Sequence, residues 1–592
     1  MPYSKHKDDL PKNTKKKISN ILNDMGISFH IKTTKRMDGI YSSVFEDINY
    51  GWVTCGKGTT KEYCEASALG EAIEHLSNGF AYDSSVLKKS SIEAYNFMKY
   101  PDEIEKPVEM IKELSPLVYE DLKYTFGISS DVAPTDEEIF TTLKTFLGKD
   151  TVAFVPYYSV KQNKVVFLPE QIIDNLCGSN GGGAGNTPQE AIGHGVDEIV
   201  ERYVKHEIYF KRLTPPTIPK EYIKKNSSKL FEIMEKIEST NEYKVIVKDA
   251  SLNQGHPVVA VVLINIKNKS YLANFGCHPI FNIALERCLT EMFQFYELGS
   301  NNVKRKEMTK WYTIDDELID CPKNWVSLLK DDVGYIPDSF FASTPTWQFC
   351  EWKKFDKYSN KIGLLSQLNN LKRKSEDIFI RNNSHLGFPV YRTYIPRLSI
   401  NNLPFDNKHL QCLMQCNEFF KKDINGTTFD TSDFMQLGKT LFNPNMFISS
   451  IIFHNMEEFM SYSLYSALLF DEGLTDKAID ILRVQNNKLC SAAMKVIEMR
   501  NKNYKTQRIK ELINLFFDEQ EKEFAECWCE SQVYMNIYKK FIYPSYVVSN
   551  IGIQNSTTSP LDGLHITIKK QMLKSKVTQD NIIDLIGMID NG

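Results

Sequence analysis

Two stretches of the chain set the same carboxylate spacing on a helical pattern, and few folds can use both. Glu71-x-x-Glu74-His75 falls inside helical phasing that runs from Lys61 to Ala81. Glu198-x-x-Glu201-Arg202 falls inside a second helix from about Thr187 to Phe210. A helix turns about 100° per residue, so positions three, four and seven apart share a face. On the first helix Ser67, Glu71, Glu74 and Asn78 form a polar stripe, while Ala66, Leu69, Ile73 and Leu76 cover much of the rest. On the second, Glu190, His194, Asp197 and Glu201 align with Glu198 on the flank, opposite Ile192, Val196, Ile199 and Tyr203. A third helix, roughly 280–298, sets Arg287, Glu291 and Gln294 against Leu285, Leu289, Phe293 and Tyr296. Any one of them alone reads as an amphipathic helix with a solvated acidic face. Carboxylates stacked without interleaved lysines, however, repel at a cost on the order of a few tenths of a kcal/mol per pair. Two copies of Glu-x-x-Glu-(basic) fit one convergent four-carboxylate site, and such oxygen donors suit a hard divalent cation, magnesium above all.

An anion beside that metal is suggested by Gly178-Ser-Asn-Gly-Gly-Gly-Ala-Gly-Asn186. This loop follows a strand pair (Thr151–Val160 and Lys164–Leu168) and opens the second helix. There Thr187-Pro188-Gln189-Glu190 fits an N-cap, a proline at the first helical position and a capping-box glutamate. Glycines let backbone N–H groups approach phosphate oxygens, and a helix N-terminus favours negative charge. The competing reading is a tight turn with Glu190 bonded to its own backbone. No Lys-Ser or Lys-Thr follows the glycines, so the loop is not a Walker A motif, and it does not match a dinucleotide-binding GxGxxG.

At 592 residues the chain exceeds one hydrophobic core, and two or three domains are expected. Residues 1–48 read as a lysine-rich helix followed by extended segments, then Ile40–Ile48 and Gly51–Thr54 lead to Gly56-Lys57-Gly58. Strand patterns recur at Lys244–Lys248, Pro257–Asn265, Ser270–Phe275 and Gly387–Tyr394. From about 428 helical periodicity dominates. Tyr462–Phe470, Asp471-Glu-Gly473 and Thr475–Val484 form a helical hairpin with Ala467 and Ala478 at its contact, similar to one tetratricopeptide unit. The expected divisions are 1–48, 49–427 and 428–592. A net charge of -4 gives no overall cationic surface for nucleic acid. No secretory h-region or apolar run of transmembrane length occurs, and twelve scattered cysteines fit reduced thiols in the cytoplasm. Cys412 with Cys416 and Cys527 with Cys529 read as buried thiols rather than zinc ligands, because no convergent ligand set accompanies them. A metallohydrolase centred on His194 or His206 is disfavoured for the same reason.

Five blocks in order resemble the YcaO family. They are Gly56-Lys57-Gly58, Ser67-Ala-Leu-Gly-Glu71-Ala-Ile-Glu74, Ser179-Asn180 with Ala184-Gly185-Asn186-Thr187, Glu198-Ile-Val-Glu201-Arg202-Tyr203, and His278-Pro279 through Arg287 and Glu291 to Gln294. Lys7-Asp8 with Thr14, and the helical tail, are similar to the family's long bacterial members. The resemblance implies an α+β fold, a YcaO ATP-binding domain of mixed sheets flanked by helices, followed by an all-α tetratricopeptide-like domain. It implies ATP and Mg2+ as cofactors, with Glu71, Glu74, Glu198 and Glu201 as metal ligands. Lys7, Thr14, Ser67, Asn186, Glu190, Arg202, Arg287 and Gln294 would contact ATP.

The resemblance further implies ATP-dependent activation of a backbone amide of a protein or peptide. Within the long members it implies assistance to the radical methylthiotransferase RimO acting on small-subunit ribosomal protein twelve. The alternatives are a thioamide- or amidine-forming peptide-modifying enzyme and, in another class, a non-catalytic ATP-binding scaffold that docks proteins through its helical tail, with a homodimer in view. Three departures stand out. His75 replaces the usual arginine, and Gly183 stands where long members have a serine that could donate to phosphate. The proline-rich terminus of azoline-forming cyclodehydratases is not found in 586–592, so azoline formation is not expected.

Overall fold

The computed structural model describes residues 6–49, 52–80, 100–127, 135–293 apart from 148, 312–313, 328, 334–401, 458–537 apart from 472, 485 and 486, 540, 560–575, 577 and 579. Helix α1 (Pro11–Asp24) begins with proline and buries Ile18 and Leu22. The first sheet runs β1 (Phe29–Met37), β2 (Ile40–Asp47), β3 (Val53–Gly58). Its strand β3 continues through Gly56-Lys57-Gly58, further than the alternation alone indicates. Helix α2 (Lys61–Ser77) follows directly, capped by Thr60, whose side chain accepts from Tyr63 N–H. It stops short of the expected Ala81, because Gly79 takes a left-handed φ of 72° just past the cap residue Asn78.

A six-stranded sheet orders β4 (Ile104–Pro107), β5 (Thr151–Ser159), β11 (Phe379–Asn382), β12 (Val390–Tyr394) and β7 (Gly182–Ala184), with β6 (Lys164–Pro169) also paired to β5. The third sheet orders β10 (Ser270–Cys277), β9 (Val258–Asn265), β8 (Tyr243–Asp249). Every pairing between these strands is antiparallel, so the sheets expected to be mixed are not so among the described residues.

Helix α3 (Pro188–Phe210) buries Ile192, Val196 and Ile199 in a core shared with β9, β10 and β11. Helix α4 (Phe281–Met292) buries Leu285 and Leu289 in another. Strand β9 divides these two cores by its pleat: Val258, Ala260 and Val262 join the α3 side, while Val259, Val261 and Leu263 join the α4 side. A strand buried on both faces reads as a continuous apolar run, as Val258–Asn265 does. Helix α2 lays Leu69, Ala72, Ile73 and Leu76 into a further core with Phe45, Phe154 and Val390. The polar stripes of α2, α3 and α4 are thereby left to face a common space.

The glycine-rich loop is a correction to the sequence reading. Gly182–Ala184 is strand β7, paired with β12, and its glycines are required by packing. A Cβ on Gly181 would lie 2.2 Å from Thr393 O, one on Gly183 2.1 Å from Ala191 O, and one on Gly185 2.5 Å from Ala191 N. A serine at 183 would collide with the first turn of α3, so the departure there is not a phosphate donor simply lost.

Six helices, Glu458–Asp471, Thr475–Val484, Lys488–Asn501, Thr506–Phe516, Glu519–Cys527 and Val533–Ile537, fill the described part of the later chain. Ala467 and Ala478 are fully buried at the hairpin contact, where Ser466 Oγ donates to Ala478 O. Gly473 makes the turn with φ 81°. Cys527 and Cys529 are buried, whereas Cys412, Cys416 and the division at 427/428 lie outside the described residues. Helix Pro560–Lys574 returns to the earlier domain, placing Ile568 and Met572 in the core that holds Ile18 and Leu22. Gln579 exchanges hydrogen bonds with the backbone of Asn382. Among the described residues no helix is long and apolar enough to cross a membrane.

Candidate nucleotide and metal site

The three stripes open onto one cavity of about 890 Å3. Glu71, Glu74, Glu198, Glu201, Lys7, Thr14, Ser67, Asn186, Glu190, Arg202 and Arg287 all line it. Gln294 lies outside the described residues.

Each of the four glutamates is oriented by a donor from a neighbouring element or turn. Glu71 accepts from Cys55 N–H of β3, and Glu74 from Ala184 N–H of β7. Glu201 Oε2 accepts from Cys277 N–H of β10 at 2.9 Å, and Glu198 Oε1 takes Nε and a terminal nitrogen of Arg202 at 3.2 and 3.1 Å. Burial, with the charge of Glu198 added, pushes Glu71 up to about 7, against the pull of Lys57. Burial, Glu198 and Glu71 push Glu74 well above the usual carboxylate range. Carboxylates that raise one another in this way face a shared space, and an all-oxygen donor set of this charge fits Mg2+. Among the described residues no three acidic, histidine or cysteine side chains stand close enough to enclose one ion. The Lys57 ammonium acts on Glu71 from within the same cavity.

The N-terminal segment closes one end. Glu190 Oε2 accepts from Asp8 N–H at 2.9 Å, and Glu190 Oε1 stands 3.2 Å from Lys7 Nζ. Thr14 Oγ1 donates to Asn186 Oδ1 at 2.7 Å, and Asn186 Nδ2 donates back to Glu190. Thr187 does cap α3 by accepting from Glu190 N–H, but the Glu190 carboxylate is engaged with the N-terminal segment and Asn186 rather than closing a reciprocal capping box. His6 and Tyr358 both pack against the ring of His278, and Asn360 donates to His6 O.

Asp197, Lys57 and Lys205 line the cavity without having been given a role from the sequence. Asp197 Oδ2 accepts from Arg287 at 2.9 Å and its Oδ1 from Gln367 at 2.6 Å, tying α3 to α4 and to α5 (Asn360–Leu371). Burial lifts Asp197 to about 6, against the pull of Arg287 and Gln367. Its place on the α3 stripe was the available signal; its partners, far away in sequence, were not. Lys57 pairs with Glu291 of α4, and burial and Arg287 bring its ammonium down to about 8. Lys205, four residues beyond Glu201, is lowered to about 7, first by burial and then by Arg202. His194 also lines the cavity, 3.9 Å from Glu74, and burial holds it well below its usual range. His75 is likewise lowered by burial, with its ring edge-on to Phe80.

Residues 55–399 match the family described as YcaO cyclodehydratase, ATP- and Mg2+-binding, which is more than half of the chain. The chain belongs to the YcaO family. ATP and Mg2+ are accordingly its cofactors. An uncharacterized protein of Haemophilus influenzae is 29% identical over 350 residues, and the ribosomal protein S12 methylthiotransferase accessory factor YcaO of Escherichia coli is 29% identical over 347 residues. Each match covers 58% of this YcaO protein and 57% of the relative. Among solved structures, YcaO from Methanopyrus kandleri bound with AMPPCP and Mg2+ is 16% identical, with a TM-score of 0.43 over 68% of this chain and 95% of that one. A heterocyclase in complex with substrate and cofactor is 16% identical, with a TM-score of 0.43 over 66% of this chain and 53% of that one. The expectation against azoline formation rested on 586–592, which lie outside the described residues, and the comparisons lend it no support.

Proposed function

We propose that this YcaO protein binds ATP along α3, with Lys7, Thr14, Ser67, Asn186, Glu190, Arg202 and Arg287 around the nucleotide and Glu71, Glu74, Glu198 and Glu201 around the metal, and activates an amide of a protein or peptide. The observation that carries the reading is that both Glu-x-x-Glu pairs line one cavity beneath the N-terminal segment. Glu71, Glu74, Glu198 and Glu201 would hold Mg2+ there, which would supply positive charge against both the triphosphate and the glutamates. Glu190, Lys7 and Asn186 hold one end of the nucleotide. Arg202, fixed by Glu198, and Arg287, fixed by Asp197, present guanidinium groups along the phosphates. ATP held there would supply its γ-phosphoryl group to the amide oxygen with ADP as the leaving group, which would open the carbonyl carbon to a nucleophile.

The substrate class follows the printed name of the Escherichia coli relative: a ribosomal protein handled together with a methylthiotransferase. The helices from Glu458 to Ile537, within the expected 428–592 division, would serve as a tetratricopeptide-like docking module, while residues 1–48 and 49–427, with Pro560–Lys574 packed into their core, would form the nucleotide-binding part. Calorimetric titration of ATP with and without Mg2+, on wild type and Glu201→Gln, tests the reading. Binding that needs Mg2+ in wild type and is lost in the variant supports it. Equal affinity in all four titrations overturns it.

A further inference from the structure

Strand β10 ends its sheet and is paired with β9 on one side only. Peptide groups point alternately to the two edges of a strand, so residues of one parity face β9 and the others face away. The outward set is fixed at both ends of the strand. Tyr271 exchanges N–H···O bonds of 2.7 and 3.1 Å with Tyr312, and Cys277 N–H donates to Glu201 Oε2 at 2.9 Å. The next residue, His278, turns its N–H to Pro257 O on the β9 side, as alternation requires. Ala273 and Phe275 lie between these ends with the outward parity, and both line the cavity. Among the described residues no backbone group pairs with them on that edge. Two N–H and two C=O groups are thus presented to the cavity, in a gap of about 20 Å from Tyr271 to Cys277. Peptide groups inside a protein rarely stay unpaired.

Alternating donors and acceptors at strand spacing match the main chain of an extended segment, whatever its side chains. Tyr312 bounds the open edge at one end. At the other, Glu201 Oε2 stands where the carbonyl oxygen of an added strand would meet Cys277, so that strand must stop there. We infer that the edge at Ala273 and Phe275 pairs with an extended segment of the protein or peptide substrate and brings the peptide group that follows it against Glu201. The inference rests on the amide-activating reading above and gives it a substrate track. A strand added here runs about 4.8 Å from β10, on the side where the proposed metal ligand stands. Recognition by main chain alone suits a reaction on an amide of the main chain itself. Ala273 and Phe275 are binding residues in this scheme and touch no reacting atom.

The test follows hydrogen–deuterium exchange at single residues of the full chain with Mg-ATP, using a pool of short peptides of randomised sequence as the probe. Without peptide, the Ala273 and Phe275 amides should exchange freely beside the protected, β9-facing amides of Leu272 and Asn274. With the pool, both should slow by about tenfold or more. The same pool with methylated backbone nitrogens should slow neither. Ala273→Pro, a change that edge strands tolerate where the N–H faces outward, should abolish the slowing at Phe275; if this variant does not fold, the methylated pool decides in its place. Amides already protected without peptide, no slowing with the pool, equal slowing by the methylated pool, or undiminished slowing in folded Ala273→Pro each overturn the inference. ADP production in the same samples separates it from the reading on which it rests. Slowing without ADP production overturns amide activation and supports a peptide-binding edge. Pool-stimulated ADP production without slowing at Ala273 and Phe275 overturns the edge alone.

Discussion

On α2 the donors that orient the glutamates are main-chain N–H groups, Cys55 for Glu71 and Ala184 for Glu74, whereas on α3 Glu198 carries the Arg202 guanidinium one turn on. The residue after each pair marks the same contrast. Arg202 folds back onto its own pair, while His75, held neutral by burial, turns its ring edge-on to Phe80. Identical spacing therefore yields two electrostatic situations. The α3 pair is partly neutralised by its own helix. The α2 pair relies on β3, where Lys57 sits, and on whatever cation enters the cavity. A motif repeated in sequence need not contribute the same share of binding energy at each copy.

The largest effect expected is common to both pairs. Glu74→Gln and Glu198→Gln should each lower Mg2+-dependent ATP affinity by about 100-fold or more, since loss even of a group supporting a metal ligand costs about 10–100-fold. Calorimetry that finds one pair dispensable would break the symmetry of the site. Next, Arg202→Met should make the α3 pair resemble the α2 pair. ATP affinity should drop by about tenfold, and the metal-free Tm by about 2–4 °C, corresponding to a loss of roughly 1 kcal/mol.

A pH scan sharpens the contrast further. Glu71 is pushed up to about 7 in the fold, above its ordinary value of 4.5. Below pH 4.5 it is protonated in both states and nothing separates them. As pH rises through about 7, the unfolded chain ionises freely while the fold resists, so stability is lost across that window. Glu71→Gln removes the loss. In chelator its Tm should equal that of wild type near pH 4.5 and lead it by about 2–4 °C at pH 8. A lead that does not change with pH would show that Glu71 is unperturbed. The smallest effect is expected from His75→Arg, which supplies α2 with the guanidinium that α3 already has: a metal-free Tm raised by about 1–2 °C, read by calorimetry at pH 8.

Helices α2 and α3 were legible because a buried face and a polar stripe each repeat with the helical period. That rule set Glu71 with Glu74 and put Glu198 on the flank of the stripe holding Glu201; the repeated spacing then suggested one shared site, and both pairs line one cavity. Strand β9 was legible for a different reason, being buried on both faces and hence apolar throughout. The glycines of 181–185 were ambiguous because close packing of a strand against a helix demands the same residue as close approach to a phosphate; the distances to Thr393 and Ala191 show the packing. Lys57 was quoted in a motif but its position was hidden, because alternation ends at Thr54 and glycines carry no pattern. Asp197 was visible on its stripe, yet its hold on Arg287 and Gln367 depends on contacts 90 and 170 residues away in sequence.

The return of Pro560–Lys574 to the first core has a consequence for synthesis on the ribosome. Ile18 and Leu22 leave the exit tunnel early, but Ile568 and Met572, which complete the same cluster, leave more than five hundred residues later. The nascent nucleotide domain must wait with that apolar patch uncovered while the intervening helices are made. At about 5–20 residues per second the wait is on the order of half a minute to two minutes. Over that interval the patch is open to chaperones, and a chain released before residue 560 would keep it exposed.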